Sequence, residues 1–525
     1  MSSHEGFSKL RAFLWPIHAR ELRKFMPMFF IFFLICFNYS TLRSAKDALV
    51  CTAPSSGAEA LPFLKVWVVL PMALIFTFIF TRLSNRLSRE RVFYVMMSIF
   101  LAFFFVFAFI LYPFRDHLHP NELSDKLQNI LPVGFNGLIA IFRNWTFTAF
   151  YIMSEMWSTM IMTVLFWGFA NEITTVAEAR RYYALLGIGA NIATICAGQV
   201  SMFISQHSFS PDVMVGTDSW EQSLLILNSI VIVAGFITMG FYRWMHIKKI
   251  VASDQSSTSS STSAEPQKIQ MGIRKNFAYL AKSKYLICIA VVVLMFNIAM
   301  TLVEVVWKDQ VKQLYPNPND FNAYMGEVMT GIGIIATVLA VISSTIMRKF
   351  SWTTAALIPP AIFFVTGLGF FTFLLFKGST AGFLAAFVGS TPLALGVFCG
   401  SLQNCLARAS KYTLFDATKE LSFIPLSKES KLKGKAAIDG FGSRLGKSGA
   451  SLIHQSLIMV FGTIALSAPI VAVIFVFVVG GWILAVRSLG RQFTLLTTRH
   501  ETISLPDEDP TGPLKPASAE APSKV

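Results

Sequence analysis

The chain has 525 residues, of which 54% are hydrophobic and 14% charged, with 50 phenylalanines and a formal net charge of +15. That is far more apolar surface than one water-facing domain can hide, so a purely soluble fold is excluded and lipid has to be part of the solvent. The six cysteines (Cys36, Cys51, Cys196, Cys288, Cys399 and Cys405) stand singly in or beside apolar stretches with no CxxC pair, which argues against a disulfide framework or a zinc site.

Residues 1–24 carry no long apolar stretch before a cleavage site, so no signal peptide is expected and the segment reads as a cytoplasmic N-terminus. A helix that crosses the roughly 30 Å hydrocarbon layer takes about 20 apolar residues. Runs of that size predict twelve transmembrane helices, at 24–49, 61–82, 92–113, 143–171, 178–205, 221–244, 283–308, 325–347, 352–376, 381–411, 436–462 and 464–487. Several exceed the bilayer thickness, which implies tilt or projection into water. The fold class expected is an all-α polytopic membrane protein.

Between the sixth and seventh runs lies "VASDQSSTSSSTSAEPQKIQ", a Ser/Thr-rich stretch with little to bury. It divides the chain into an N-terminal six-helix bundle (25–245), a cytoplasmic linker (246–280) and a C-terminal six-helix bundle (281–488). Residues 489–525, ending in a Pro- and Ala-rich segment, are expected to form a disordered cytoplasmic tail. Orientation follows from the positive-inside rule. A cytoplasmic N-terminus puts Arg20, Arg23 and Lys24, the run Arg82 to Arg91, Arg180 and Arg181, Lys248 and Lys249, Arg348 and Lys349, the cluster Lys411 to Lys435, and Arg487 and Arg491 on the inner side. Basic charge spread over separate loops in this way is no nucleic-acid surface.

The halves echo one another. "FNYSTLRSAKDAL" in the first run and "FNIAMTLVEVVWKDQV" in the seventh share Phe-Asn, Thr-Leu and Lys-Asp at spacings that differ by one or two residues. The basic "RLSNRLSRER" between the second and third runs resembles the loop that facilitator-superfamily transporters carry there. Both features point to two bundles with a site between them.

Charges inside the spans are the sharpest signal. A charged side chain at mid-helix in lipid costs about 2.5–3.5 kcal/mol or more, so each must face water or a partner. Four stand out: Lys46, Glu155, Glu304 and Lys447, with Arg143, Arg408, Arg444 and Asp439 as a second tier. Lys46 has a bland alternative, snorkelling to the outer surface. Glu155 can be one half of a structural ion pair, Glu304 a helix-end acid near Lys308 and Asp309, and Lys447 an accessory of a glycine-rich helix.

"GFGSRLGKS" imitates a phosphate-binding loop, but GxxxxGK[ST] needs glycines five apart after a strand. Here Gly446 follows Gly442 by four and Gly440 by six, inside a predicted span, so a Walker fold is rejected. His117 and His119 fall in a predicted outer loop, where a solvated pair outweighs a metal site. No nucleophile and base constellation is recognisable, which disfavours a membrane-embedded enzyme, and no cofactor or metal is expected. Lysines and arginines gathered in one chamber suit a polyanion such as a phosphate chain, with carboxylates tempering the charge of the empty site. Tyr39, Trp157, Phe169 and Trp307 are available to stack on a base or serve as packing.

"NYSTLRSAKDALV", "FLKVWVVLP", "SEMWSTM", "LFWGFANEIT", "EARRYYALLGIGAN", "TLVEVVWKDQVK", "YPNPNDF", "KYTLFDATKELSFIPL" and "KGKAAIDGFGSRLGKSG" resemble the non-mitochondrial ATP/ADP translocases of plastids and of obligate intracellular bacteria such as chlamydiae and rickettsiae. The resemblance runs from about Phe7 to Leu489. It implies a facilitator-superfamily-like fold that exchanges ATP for ADP and phosphate by alternating access, in a monomer in the inner membrane of an intracellular bacterium. It also implies that four charged positions, here Lys46, Glu155, Glu304 and Lys447, carry transport. Arg43, Arg444, Asn171 and Tyr39, in or beside the same motifs, complete the expected substrate-binding set. In one place the chain departs from the pattern: energy-exchanging members read Arg-Asp-Thr-Lys-Asp where this chain has "RSAKD", so Ser44 and Ala45 replace an acid and a hydroxyl. That leaves uptake of other ribonucleotides, by exchange or with protons, as the alternative.

Overall fold

The computed structural model describes residues 17–207, 218–248, 283–376, 389, 391–426, 434–435, 438 and 442–504. The expected linker from residue 249 onward therefore lies outside the described residues, its first residues, 246–248, ending α8, and so do Asp439 and the chain beyond Ser504.

The described residues are helical almost throughout. In the first half, α1 (Leu22–Cys51), α2 (Ala60–Arg86) and α3 (Arg89–Leu111) are followed by two short helices, α4 (Asn121–Ile130) and α5 (Asn136–Arg143), and then by α6 (Trp145–Ile173), α7 (Val176–Gln206) and α8 (Ser219–Ile247). The second half contains α9 (Lys284–Leu314), α10 (Pro318–Lys349), α11 (Trp352–Leu375), α12 (Pro392–Ser410), α13 (Ser443–Phe461) and α14 (Ile464–Ser504). Local chemistry marks the starts. Thr175 and Glu178 form a reciprocal capping box on α7, and the side chains of Ser283, Ser351 and Thr391 accept from backbone N–H groups in the first turns of α9, α11 and α12. Pro318 and Pro392 sit in first turns, where their missing N–H leaves no bond unmade.

Among the described residues ten helices are long and apolar enough to cross a bilayer, and α12 and α13 are not among them. Their polarity has a structural cause. Gln403, Asn404 and His454 are buried, and Gln455 is buried against the first half, where it accepts from Trp67 at 3.2 Å, so these helices spend their polar residues inward rather than on lipid. The stretch from 489 onward, expected as tail, continues α14 as far as Ser504. Residues 114–142, expected to connect two spans, fold with Arg143 into a helical layer. Arg143 belongs to that layer rather than to a span and ion-pairs with Asp125, while donating to Gln128 at 3.0 Å. His119 is not simply solvated, because its Nε2 lies 2.7 Å from Thr146 Oγ1 and burial pushes the ring's pKa down.

Within each half the first helix packs centrally, α1 against α6, α7 and α8, and α9 against α12, α13 and α14, and one continuous apolar core runs through both halves. The two halves meet along a seam at the end that carries the loops after α1 and α7. There α7 and α10 cross at glycines: a Cβ on Gly326 would stand 2.6 Å from the Gly198 carbonyl oxygen. Small residues at the crossing let backbones approach closely enough to pack without side chains between them. Around it Asn322 donates to Ser205 at 2.8 Å, Asn319 to Ser219 at 2.9 Å, and Gln199 to Thr330 at 3.0 Å. The helical layer adds to the closure, since Gly134 lies so close to α13 that a Cβ would fall 2.5 Å from Met459 Cα.

Candidate functional site

Between the halves, below that seam, lies a polar chamber of about 470 Å³, within the range of small-molecule sites. Helical periodicity builds its walls. Tyr39, Arg43, Lys46 and Asp47 occupy one stripe of α1, Tyr151 and Glu155 one face of α6, Phe296, Met300 and Glu304 one face of α9, and Arg444, Lys447 and Ser448 one face of α13. Lys65 enters from a π-helical turn of α2 (Leu64–Val69), and Lys411 from another (Lys411–Phe415) that prolongs α12. Such turns rotate a side chain out of the ordinary register and recur at functional sites.

Lys46 is buried and ion-pairs with Glu155, and its Nζ sits 3.9 Å from the centre of the Tyr151 ring. It therefore does not snorkel. Glu304 is the hub of the opposite wall: Arg408 lies 2.9 Å away, Lys308 3.0 Å, Lys65 3.5 Å and Arg43 3.9 Å. Lys308 turns its other side to Asp47 at 2.8 Å, across the seam from α9 to α1. Each half thus contributes an ion pair to the chamber wall, Lys46 and Glu155 on α1 and α6, and Glu304 and Arg408 on α9 and α12, with the signs exchanged. Lys447 is exposed to the chamber. Among the described residues no carboxylate lies within 4 Å of it.

Seven of the eight residues expected to bind substrate, namely Tyr39, Arg43, Lys46, Glu155, Glu304, Arg444 and Lys447, line this one chamber. Asn171 does not. It lies near the far end of α6, exposed, accepting a hydrogen bond from the Tyr183 hydroxyl at 2.5 Å. Of the four aromatic candidates only Tyr39 faces the chamber. Trp157 donates to the Ile35 carbonyl, Trp307 to Ser401 and Phe169 packs on Tyr242, so these three are core. Ser44 and Ala45, where the chain departs from the family pattern, are both buried and outside the chamber lining.

Sequence reasoning passed over Lys65, Lys411 and Tyr412, and ranked Arg408 second. Lys65 had a detectable signal, as the lone charge within the apolar stretch of α2 between Glu59 and Arg82. The chamber lining holds seven cations (Arg43, Lys46, Lys65, Arg408, Lys411, Arg444 and Lys447) against three carboxylates (Asp47, Glu155 and Glu304). That surplus of positive charge, in a site rich in N–H donors, suits an anion with several oxygens rather than a sugar or a cation. Among the described residues no group of three His, Cys, Asp or Glu is placed to hold a metal.

The profile of the family described as TLC ATP/ADP transporter matches residues 1–493. The chain is 44% identical over 499 residues to a protein named ADP,ATP carrier protein 1 from Chlamydia pneumoniae, an alignment that covers 94% of this chain and 95% of the relative. It is 40% identical over 488 residues to a chloroplastic ADP,ATP carrier protein 2 from Arabidopsis thaliana, covering 93% of this chain and 77% of that one. Among solved structures, a bacterial homologue of the iron transporter ferroportin in an inward-facing state shares the fold, with a TM-score of 0.52 at 13% identity over 91% of this chain and 99% of that one.

Proposed function

The chain belongs to the TLC ATP/ADP transporter family, and on that premise we propose that it exchanges ATP for ADP across a membrane by alternating access, with the phosphate tail held in the chamber between the halves. It is a transporter and not an enzyme. The observation that carries the binding site is the convergence of charges from six helices and a π-helical turn on one polar space, with an excess of four cations over carboxylates. Such an excess matches the charge that a nucleoside triphosphate brings.

In this reading Lys447, Arg444 and Lys46 meet the phosphates and Tyr39 offers its ring to the base. Lys447 has an ammonium exposed to the chamber and, among the described residues, no carboxylate within 4 Å to give up before it meets an incoming anion. Lys46 is held in place by Glu155 and by the Tyr151 face, which limits the rotamers it must give up on binding. Phosphate travelling with ADP is accommodated by the same cations.

The seam lies at the end away from the N-terminus. With the N-terminus cytoplasmic, as the distribution of Lys and Arg favours, the chamber is closed outward, with both termini inside and the cell membrane of an intracellular bacterium as its site. In this reading a monomer in the lipid bilayer is the working unit.

The test is counter-exchange in proteoliposomes. Labelled ATP should enter quickly when the lumen holds ADP and slowly when it is empty. Uptake that ignores internal nucleotide and stops with an uncoupler would replace this reading by proton-coupled import of ribonucleotides.

A further inference from the structure

Glu304 lends one carboxylate to four cations, two from each half. Arg43 at 3.9 Å and Lys65 at 3.5 Å belong to the first, Lys308 at 3.0 Å and Arg408 at 2.9 Å to the second. A site that only had to attract an anion would not place an anion of its own at the focus of its cations. A carboxylate there competes with the ligand. Glu155 differs in a telling way, because its ion pair with Lys46 stays within the first half.

Resting on the reading of the chamber as the nucleotide site, we propose that Glu304 is a resident stand-in for a phosphate group: in the empty chamber it holds Arg43, Lys65 and Arg408 and ties the halves together, and an entering phosphate tail takes those cations from it. The idea assigns phosphate-binding roles to Lys65 and Arg408. It also gives exchange a physical cause. Empty protein stays bridged across the seam by its own carboxylate, and only a nucleotide, by replacing that carboxylate, frees the halves to rock. The buried Lys308 and Asp47 pair, one helical turn nearer the seam, keeps the two helices in register while this happens.

The proposal reverses the usual sign for a binding-site mutation. Equilibrium binding of ADP to the purified full chain should become about tenfold tighter in Glu304→Gln, the equivalent of one charge-assisted hydrogen bond no longer competed for. Adenosine, which lacks phosphates, should bind as it does to the wild type. Equal or weaker ADP binding in Glu304→Gln overturns the proposal, whereas failure of the wild type to bind ADP at all counts against the chamber reading instead.

The bridging is read separately, without transport. Cysteines replacing Ser205 and Asn322, whose side chains meet across the seam, report its closure through disulfide yield in nucleotide-free protein. Yield should fall when Glu304→Gln is added and hold when Glu155→Gln, the same change of charge, is added. If Glu304→Gln does not accumulate, Lys65→Gln removes one arm of the bridge and should also lower the yield. An undiminished yield in either variant contradicts the bridge.

Discussion

Lys308 on α9 and Asp47 on α1 form an ion pair of 2.8 Å with side chains only 2% and 1% exposed, and it joins the two halves of the protein. A buried pair contributes little over apolar packing, but breaking it strands a charge. Lys308 keeps Glu304 at 3.0 Å when Asp47 is removed, so the loss falls at the lower end of the usual range. Asp47→Asn should therefore destabilise the detergent-purified protein by about 3 kcal/mol in thermal or denaturant unfolding. An exchanged pair, Asp47→Lys with Lys308→Asp, should recover part of that. No difference between single and exchanged variants would show that the two charges are not coupled.

Lys447 and Lys46 should separate binding from stability. The ammonium of Lys447 is exposed to the chamber, so Lys447→Ala is expected to leave unfolding within about 0.5 kcal/mol of the wild type while weakening ATP binding about ten- to hundredfold. Lys46→Ala removes the partner of a half-buried Glu155 as well, and should lower both stability and binding. Unfolding and binding curves on the same preparations distinguish the two patterns.

The chamber was legible in the sequence to the extent that charge in an apolar run is costly wherever it occurs. That argument found Lys46, Glu155, Glu304 and Lys447 from four different spans without knowing that they meet. It could not find Lys65 with equal force, because a lysine a turn inside a helix reads as interfacial until a π-helical turn is seen to aim it inward. Asn171 failed for the opposite reason. It shares a motif-bearing helix with Glu155, but sixteen residues of helix carry it well away from the chamber, to a polar contact with Tyr183. The helical layer of residues 115–143 was missed because short amphipathic helices in a connection look like loop to a search for long apolar runs. The substitutions at Ser44 and Ala45 looked like a change beside the phosphates, yet both side chains point away from the lining, so sequence neighbours of Lys46 need not be its chamber neighbours.

At the N-terminal end of α7, before the apolar span that begins at Arg181, Glu178 accepts from the Thr175 N–H at 2.8 Å and from Lys24 at 3.0 Å, which fastens the start of α1 to the start of α7. Burial pulls its carboxyl pKa up, but those hydrogen bonds outweigh it and hold the pKa below the ordinary value of 4.5. A carboxylate depressed in the folded state stabilises above its unfolded pKa and loses that contribution as pH falls through the lowered folded value. Stability measured from pH 7 downward should therefore hold to about pH 4.5 and decline below it, with Glu178→Gln flattening part of the decline. A Glu178→Gln variant with the wild-type acid profile would place the effect elsewhere.

The most direct test of the central claim is an experimental structure of the protein with ADP bound. The diphosphate oxygens should lie within hydrogen-bond distance of Lys447 and of at least one of Arg43, Lys65 and Arg408, with Glu304 withdrawn from the cation it has yielded. A diphosphate bound outside the space between α1, α6, α9 and α13, with Glu304 still holding all its cations, would contradict it.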